Sequence, residues 1–367
     1  MKSILIISSE FPPLPGGIGN HAFNLALNLQ KNKKKVTVIT DQRNEILETD
    51  LDFDKKQPFS VKRIKRQKIV FFTYIKRISE SFSFVKNNKE ATTICSGKFQ
   101  LWLGAFLKVM FSNRKFIAVV HGSEISAGGK WSQEITKWSF SKYDSLIAVS
   151  EFTKKLILDK KSNLEVTVIN NGFLFSEKEI LNSDFIIKGS PKLVTIGNVT
   201  FRKGQQNVIK TLPKLKEKFP EIQYHIVGIP TEKDTLESLA KSLNVEDNCT
   251  FYGALSDIEM MKIVSNSDVF LMLSENLPNG DVEGFGIAIL EANYFGLPAI
   301  GSKNSGIADA IKNNYSGKLV NPSNEVEILE ALTEIMENYP KYSEQAKLWS
   351  LNFDWKIIIQ KYLEIID

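Results

Sequence analysis

Residues 192–204 read KLVTIGNVTFRKG, and this stretch indicates the fold class of the chain. A short apolar and β-branched run ends at Ile196, a loop containing glycine follows it, and a helical pattern then begins at Gln205. A strand that feeds a helix through a short loop is the unit of a parallel α/β sheet. Because this unit starts midway along the chain, the sequence predicts that a second α/β domain begins here.

The same alternation of strands and helices occupies both halves of the chain. With 367 residues, the chain is long enough for two domains of about 100 to 200 residues each. The sequence therefore predicts two doubly wound α/β domains in series. The expected strands are Ser3–Ile7, Val36–Thr40, Ile69–Phe72, Thr92–Cys95, Phe116–Val120, Ser145–Val149 and Val166–Ile169 in the first half, and Lys192–Ile196, Gln223–Val227, Cys249–Tyr252, Val269–Leu273 and Ala299–Gly301 in the second.

The expected domain boundary lies between Asn170 and Pro191, where the periodic pattern is lost. We place it near Phe185, so that the first domain covers residues 1–185 and the second begins at residue 186. In open parallel sheets, ligands bind outside the carboxyl ends of the strands. Functional residues are therefore expected in the loops that follow strands, and in a cleft between the two domains.

Composition excludes several classes of protein. The chain is 43% hydrophobic and 24% charged, which is typical of a globular protein rather than a disordered or collagen-like one. Two cysteines, Cys95 and Cys249, are too few for a disulfide framework, and the apolar run that follows Lys2 is too short for a signal peptide. We expect a cytoplasmic protein. No apolar run reaches the roughly 18 residues of a spanning helix, so any membrane contact is expected to be peripheral.

Charge is distributed unevenly between the two halves. Residues 1–180 carry 29 basic and 17 acidic residues, a net charge of +12, and residues 181–367 carry 18 and 25, a net charge of −7. The densest basic stretch, Lys62 to Arg77, interleaves cations with aromatic and apolar residues, which suits an anionic lipid surface. An ordinary solvated face of a lysine-rich protein is the alternative. Nucleic-acid binding is not expected, because no binding motif is present and the second half is acidic.

The loop after the first strand contains Gly16, Gly17 and Gly19 directly before a helical pattern. Glycines at a helix start allow backbone N–H groups to approach a phosphate. Residues 17–22, with Asp41 at the end of the next strand, also fit a dinucleotide-binding fingerprint, which would indicate an NAD-dependent oxidoreductase or a sugar-nucleotide-modifying enzyme. A plain loop with a glycine helix start remains the structural alternative.

Two loops of the second half carry charged residues beside glycines. Arg202 and Lys203 precede Gly204 at a helix start, where a forked donor and a point charge suit a diphosphate, unless they form only a solvated surface. Glu283 and Glu291 lie on either side of a helix start at Phe285, Gly286 and Ile287, in the sequence EGFGIAILEA. An anion at the free N–H groups of that helix would have one carboxylate on each side. The alternative is a capping role for Glu283 and a solvent-facing Glu291.

A histidine, His121, follows the strand Phe116–Val120 directly. A histidine at the carboxyl end of a strand is well placed for hydrogen bonding or proton transfer, although a lone histidine is often a packed or capping residue. Neither histidine nor cysteine recurs at a metal-binding spacing, so no metal and no cofactor are expected.

Taken together, these motifs resemble those of the retaining glycosyltransferases of family 4, over nearly the whole chain. The resemblance is carried by the glycines at 16 and 17, by Lys203 and Gly204, and most specifically by the glutamate pair with seven residues between them. It implies the GT-B fold, with two facing Rossmann-like domains and a final helix, residues 351–367, that packs back on the first domain. The second domain would then comprise residues 186–350.

The resemblance also implies a reaction and roles for individual residues. The enzyme would move a sugar, with retention and without a metal, from a nucleoside-diphosphate sugar to a saccharide or lipid-linked acceptor in surface polysaccharide or glycolipid synthesis. The implied roles are as follows: Gly16 and Gly17 near the diphosphate and the acceptor, Lys203 on the diphosphate, Glu283 and His121 near the sugar, Glu291 on the ribose, and the backbone at Tyr252 and Gly253 facing the base.

This sequence departs from the family pattern at two positions. Asn198 stands where many members have an arginine, so Arg202 is expected to supply the missing cation. Phe173 and Leu174 replace a Val-Asp pair, which removes an expected acidic contact.

Overall fold

The computed structural model describes residues 2–42, 47–126, 128–174, 186–278 and 280–367. The chain forms two compact units. Unit 1 comprises Met1–Gly172 together with Trp355–Asp367, and unit 2 comprises Phe173–Asp354. The boundary expected at Phe185 lies outside the described residues.

Unit 1 is built on a parallel sheet of seven strands in the order β3-β2-β1-β4-β5-β6-β7. Every residue of β4 and β5 is buried, as expected for strands covered on both faces of the sheet. β5 is apolar throughout, whereas β4 contains Thr92, Thr93 and Ser96. The seven strands are β1 (Ser3–Ser8), β2 (Lys35–Asp41), β3 (Ser60–Ile64), β4 (Thr92–Ser96), β5 (Phe116–Val120), β6 (Ser145–Ala148) and β7 (Val166–Val168).

The helices of unit 1 cover both faces of this sheet. In chain order they are α1 (Gly17–Lys31), α2 (Leu47–Lys55), α3 (Val70–Asn87), α4 (Lys98–Met110), α5 (Ser123–Ser126), α6 (Lys130–Phe140), α7 (Glu151–Lys160) and the last helix of the chain, α14 (Trp355–Ile366). Helix α14 packs on α1, where the Tyr362 hydroxyl lies 2.9 Å from Nε2 of His21, and the ammonium of Lys2 donates to the carbonyl of Ile366.

One predicted strand of unit 1 is wrong. Ile69–Phe72 was expected to be a strand, but Val70 begins α3, and the strand of this region is Ser60–Ile64. Beyond Phe72 the buried positions are Thr73, Arg77, Ser81 and Val85, which recur every four residues and therefore lie on one face of a helix. The β-branched and aromatic residues at the start of α3 mimic a strand only over one turn.

Unit 2 is built on a second parallel sheet, of six strands in the order β10-β9-β8-β11-β12-β13. The strands are β8 (Lys192–Ile196), β9 (Gln223–Val227), β10 (Cys249–Gly253), β11 (Val269–Met272), β12 (Ala299–Ser302) and β13 (Gly317–Val320). The helices are α8 (Gln205–Lys218), α9 (Lys233–Ser242), α10 (Asp257–Ser265), α11 (Ile287–Tyr294), α12 (Glu325–Glu337) and α13 (Tyr339–Ser350), with 3₁₀ turns at Phe201–Lys203, Glu246–Asn248, Gly306–Asp309 and Leu351–Phe353.

The strand orders locate the position in each unit where a ligand is expected. In unit 1 the order reverses between β1 and β4, and in unit 2 it reverses between β8 and β11. Loops that leave two such strands diverge to opposite faces and open a crevice at the carboxyl edge of the sheet. The loops that follow β1 and β4, and those that follow β8 and β11, therefore frame the candidate sites. Among the described residues, no helix is both long and apolar enough to cross a membrane.

Candidate functional site

In unit 2, the loops after β8 and β11 are joined through their backbones. The N–H of Glu275 donates to the carbonyl of Arg202 at 3.1 Å. Gly204 has a φ of +82°, and a Cβ atom there would lie 1.9 Å from the carbonyl oxygen of Leu273. A glycine is required at this crossing because both its conformation and its contact exclude a side chain. The crossing places Arg202 and Lys203 at the switch point of the sheet.

The two cations converge on the carboxylate of Glu283. Lys203 Nζ lies 2.7 Å from Glu283 Oε2, and Arg202 donates to the same oxygen through Nη1. Arg202 also reaches Asp281, with 3.1 Å between Nε and Oδ2. The structure thus brings together three predicted residues and adds Asp281, which sequence reasoning missed although it lies two residues before Glu283.

The pKa of the Glu283 carboxyl group depends strongly on these two cations. Burial by itself raises the pKa of this carboxyl group, but the charges and hydrogen bonds of Lys203 and Arg202 outweigh burial and hold the pKa below its usual value. The Glu283 carbonyl accepts from the N–H of Gly306 at 3.0 Å, which holds the backbone of the loop against the next loop of the sheet. Glu283 is therefore an ionised carboxylate at a fixed place, paired with two cations.

Helix α11 begins directly after this cluster. Gly286, with a φ of +86°, is its N-cap, no side chain caps the helix, and its first turn contains no acidic residue. Phe285 is buried, with its ring centroid 5.8 Å from that of Phe353, so it anchors the helix start. The N–H groups of Ile287 and Ala288 lack an intrahelical partner by the geometry of a helix start, which suits an anion. The N–H of Ile289 donates to the carbonyl of Gly286 at 3.0 Å.

Glu291 lies in the second turn of α11 and is a different kind of carboxyl group. Its pKa is raised to about 7, mainly by burial and also by the charge of Asp257, while the charge of Lys203 opposes the shift. Lys203 is thus electrostatically coupled to both members of the glutamate pair. Asp257, at the start of α10, is a second residue of this region that the sequence analysis did not identify.

The remaining predicted residues of unit 2 lie at the same edge of the sheet. Asn198 is exposed in the loop after β8, and its carbonyl accepts from the side chain of Gln205 at 3.2 Å. The hydroxyl of Tyr252 lies 3.0 Å from Nδ1 of His225, so this side chain is engaged within unit 2. Gly253 has a φ of +74°, and a Cβ atom there would meet no atom of the described part of the chain within 4 Å. The backbone at Gly253 therefore borders open space.

In unit 1, the glycine loop leads directly into α1. Gly16 is the N-cap, and Gly17 is the first helical residue. A Cβ atom at Gly17 would meet no described atom within 4 Å, whereas one at Gly19 would lie 3.0 Å from the backbone nitrogen of Phe11. Packing therefore explains Gly19 but not Gly17, where space is left open beside the backbone.

His121 occupies the carboxyl end of β5 and is buried. Its Nε2 lies 3.0 Å from the Ser96 hydroxyl, and its backbone N–H donates to the carboxylate of Glu124 at 3.1 Å. The ring of His21 contacts it edge-on, with centroids 5.0 Å apart. Burial lowers the pKa of His121 to about 4, so the imidazole is neutral near pH 7. A neutral imidazole can donate or accept a hydrogen bond and carries no charge toward a ligand.

A buried carboxyl group of unit 1, Glu124, lies next to His121 and was missed from the sequence. Its pKa is raised to about 7, mainly by burial and also by the charge of Glu10, while hydrogen bonds from backbone N–H groups oppose the shift. Burial lowers the pKa of Lys98, with Glu124 opposing that shift. These groups surround the switch point between β1 and β4. The Glu124 signal was present in the sequence as an acidic residue three positions after the histidine.

Asp41 has a partner that the dinucleotide interpretation did not anticipate. Its carboxylate accepts two hydrogen bonds from the guanidinium of Arg77, at 2.8 and 2.6 Å. In a dinucleotide site this carboxylate would bind a ribose diol. The bidentate ion pair occupies it instead, so this observation disfavours an NAD site. Within the described ranges, no group of three or more His, Cys, Asp or Glu side chains could hold a metal ion.

Comparison with protein families gives matches along both units. A model described as Glycosyltransferase Family 4 matches residues 15–173, and one described as Glycosyl transferases group 1 matches residues 176–348.

Two relatives show the range of similarity. An uncharacterized glycosyltransferase of Haemophilus influenzae is 23% identical over 363 residues, 96% of each chain. A GDP-mannose-dependent alpha-(1-6)-phosphatidylinositol monomannoside mannosyltransferase of Mycobacterium tuberculosis is 30% identical over 147 residues, 40% of this chain and 38% of that protein.

Solved structures match the whole chain. Anabaena HepE in complex with UDP and glucose superposes with a TM-score of 0.78 at 17% identity, covering 100% of this chain and 99% of that one. The lipopolysaccharide outer core galactosyltransferase WaaB superposes with a TM-score of 0.74 at 16% identity, with coverage of 100% and 99%. These matches confirm the expected GT-B fold, including the last helix that returns to unit 1.

Proposed function

Because this chain belongs to the group 1 glycosyltransferases of family 4, we propose that it transfers a sugar from a nucleoside-diphosphate sugar to a hydroxyl group of a saccharide or lipid-linked acceptor, with retention of configuration. One observation gives this proposal its main support. Lys203 and Arg202 converge on Glu283 directly before the uncapped start of α11. Two cations and a helix N-terminus together suit a diphosphate, and the adjacent carboxylate suits sugar hydroxyls.

The proposed donor site assigns a role to each residue of unit 2. Lys203, Arg202 and the N–H groups from Phe285 to Ile287 bind the diphosphate, and Glu283 binds the transferred sugar. Glu291 binds the ribose, and Asn198 lies beside the diphosphate. The open backbone at Gly253, next to Tyr252, faces the base. In unit 1, His121 lies near the sugar, and Gly16 and Gly17 lie near the diphosphate and the acceptor.

The chemistry follows from where charge develops. As the bond between the anomeric carbon and the diphosphate oxygen breaks, negative charge grows on that oxygen and positive charge on the carbon. Preorganised cations and N–H donors stabilise the leaving group, and such contacts supply the largest catalytic effects in many enzymes. The acceptor oxygen forms the new bond on the same face of the sugar, and its proton passes to the departing diphosphate oxygen.

Metal independence is part of the same proposal. A cation in a diphosphate site neutralises the leaving group, and here Lys203 and Arg202 supply two positive charges at the switch point. The side chain of Lys203 is largely shielded from solvent, so its charge is screened less than that of a surface lysine. In this proposal the two side chains take the place of a bound divalent ion at the leaving group.

The similar proteins suggest which donors to test first. Anabaena HepE was solved with UDP and glucose, and the mycobacterial relative is named as dependent on GDP-mannose. We therefore expect a UDP-sugar or a GDP-sugar as donor. The lipid named as acceptor of the mycobacterial protein supports a role in surface polysaccharide or glycolipid synthesis. The expected location is the cytoplasm, on the inner face of the cell membrane.

A ligand screen followed by a product analysis tests this function. Thermal shift with UDP, GDP, ADP and their common sugars should identify one base that raises Tm, because only a molecule that binds the folded state stabilises it. The donor should then be turned over in the presence of EDTA, with the anomeric configuration of the product read by NMR. Stabilisation by NADH and not by any nucleoside diphosphate would overturn the proposal, and an inverted product would overturn retention.

A further inference from the structure

The basic stretch Lys62 to Arg77 separates into two groups in the folded protein. One group is structural. Arg63 pairs with Asp54, at 2.8 Å, and Arg77 pairs with Asp41, at 2.6 Å. Lys62 forms an ion pair with Glu80 across to α3. These three cations are neutralised by carboxylates of unit 1.

The second group consists of four cations that face solvent. The side chains of Lys65, Arg66, Lys68 and Lys76 are exposed, and among the described residues no carboxylate lies within ion-pair distance of them. Three of them lie between the end of β3 and the start of α3, and the fourth lies in the second turn of α3. Their positive charge is therefore not neutralised by any described carboxylate.

Apolar side chains of unusual exposure lie among these cations. Ile69, Phe71 and Phe72 are 60%, 64% and 54% exposed, and Val70 and Ile75 are exposed as well. The buried face of this part of α3 consists of Thr73 and Arg77. Exposure of these aromatic and apolar side chains to water is energetically unfavourable. Contiguous exposed apolar patches of this kind mark interaction sites.

The exposed segment is fixed to the rest of unit 1 by hydrogen bonds and ring contacts. The N–H of Gln67 donates to the Thr73 hydroxyl at 2.8 Å, which ties the preceding loop to the helix. The Tyr74 ring lies 4.5 Å from that of Phe99, and the guanidinium of Arg77 lies over both rings, at 5.1 and 4.9 Å. The ion pair of Arg77 thus serves to orient the helix start.

We propose that residues 65–76 form a membrane-docking surface for anionic lipid, in which Phe71, Phe72 and their apolar neighbours enter the interfacial layer and the four exposed cations contact lipid phosphates. The arrangement of charge on this surface favours anionic lipid as its ligand. Cations that flank an apolar helix face match the two layers of an anionic bilayer, with phosphates above and acyl chains below. Lysine and arginine side chains also reach upward from a buried helix to the phosphate level.

The position of this surface deepens the proposed function, on which this part of the inference rests. The docking surface follows β3, and His121 follows β5, so both lie at the carboxyl edge of the same parallel sheet. A bilayer bound by residues 65–76 therefore lies beside the edge that is expected to receive the acceptor. This arrangement favours an acceptor whose lipid portion stays in the membrane while its hydroxyl reaches unit 1.

Vesicle flotation of the full-length protein tests the docking surface without any donor or acceptor. The probes are vesicles of phosphatidylcholine alone and of phosphatidylcholine mixed with phosphatidylglycerol, at about 0.1 M salt. We expect binding to the anionic vesicles only, weakened by salt. The combined change Lys65→Gln, Arg66→Gln and Lys68→Gln should lower the partition coefficient about 100-fold, because each surface cation contributes about a five-fold factor. Phe71→Ser with Phe72→Ser should lower it at least about 10-fold.

Two matched variants control for general effects of charge and hydrophobicity. Lys86→Gln with Lys89→Gln removes exposed cations at the opposite end of α3, and Val109→Ser with Met110→Ser removes exposed apolar side chains at the end of α4. Both should bind vesicles as the unchanged protein does. A cooperative thermal unfolding transition, measured without any ligand, shows that every variant is folded.

Several results would overturn the docking surface. These are absence of binding to the anionic vesicles, equal loss in the control variants, or dimerisation that depends on Phe71 and Phe72 without vesicle binding. None of these results affects the donor site, so a failure of this inference is distinguishable from a failure of the proposed function.

Discussion

Lys203 Nζ lies 2.7 Å from Oε2 of Glu283, and this ion pair joins the first and the fourth strand-to-helix loops of unit 2. Both groups are largely shielded from solvent, and Arg202 contacts the same carboxylate oxygen. A diphosphate that enters this site must therefore compete with Glu283 for the two cations. In the proposed donor site, a diphosphate on the two cations would leave the carboxylate of Glu283 available to the hydroxyl groups of the sugar.

Loss of the Lys203 cation should abolish most of the turnover. We expect Lys203→Ala to lower kcat at least about 100-fold, the scale seen when one group that stabilises the transition state is removed. Lys210→Ala, an exposed lysine on α8, is the matched control and should retain the activity of the unchanged enzyme. Steady-state kinetics with the donor from the ligand screen measure both. Near-normal turnover in Lys203→Ala would remove Lys203 from the catalytic site.

Removal of Asp281 should strengthen donor binding. Its carboxylate lies 3.1 Å from Nε of Arg202 and competes with a diphosphate for that guanidinium. Because Asp281 is partly exposed, its interaction is screened, and we expect Asp281→Asn to lower the Kd of the nucleoside diphosphate only about three-fold. Asp234→Asn, at the exposed start of α9, is the control. Calorimetric titration that finds weaker binding in Asp281→Asn would show that this carboxylate helps the donor to bind.

His121 and Glu124, which lie just after β5, should change the free energy of unfolding in opposite directions as the pH falls. The unfolded chain protonates histidine near its usual pKa of 6.5, whereas folded His121 stays neutral down to about 4, so acidification destabilises the folded state. The pKa of folded Glu124 is raised to about 7, so it binds a proton before the unfolded chain does, and acidification stabilises the folded state.

Chemical denaturation of two variants at pH 7 and pH 5 tests these signs. His121→Asn should lose less stability than the unchanged protein over this interval, and Glu124→Gln should lose more. Each difference is at most about 1.4 kcal/mol per pH unit, the contribution of one proton. Shifts of the same sign in both variants would contradict the assigned burial of one of the groups.

Alanine substitution of Gly17 and of Gly19, at the start of α1, should distinguish a functional role from a packing role. Gly17→Ala places a methyl group in open space, so we expect an unchanged Tm with a loss of activity of at least about 10-fold, the scale expected when a backbone donor is blocked. Gly19→Ala brings a methyl group to 3.0 Å from the Phe11 backbone and should lower Tm. Thermal denaturation and an activity assay distinguish the two effects. Full activity in Gly17→Ala would show that no ligand approaches there.

Most of the fold could be predicted from local patterns. Buried parallel strands such as Phe116–Val120 are short apolar runs, and the loops after them are marked by glycines, so element type and order are encoded locally. The start of α3 was misread because Ile69 to Phe72 contains strand-forming residues over one turn, while the periodicity that identifies the helix lies beyond them.

The candidate site could be predicted only in part. Glu283, Glu291 and Lys203 stand out because their spacing around glycines has no obvious packing purpose. Asp281 and Glu124 did not stand out, because a single acidic residue in a loop is common. What distinguishes them is a partner or an environment: Asp281 contacts Arg202, and Glu124 is 3% exposed beneath the backbone of His121.

The sequence by itself therefore determined the two α/β domains, the family and the residue types at the strand ends, because these depend on periodicity and on short motifs. Only the tertiary structure decided which charges are neutralised. Within the stretch Lys62 to Arg77 the sequence does not distinguish one cation from another. In the folded chain, however, Arg63 and Arg77 form ion pairs with Asp54 and Asp41. Lys65, Arg66 and Lys68 face solvent. Electrostatic energy depends on distance and burial, which the chain acquires only on folding.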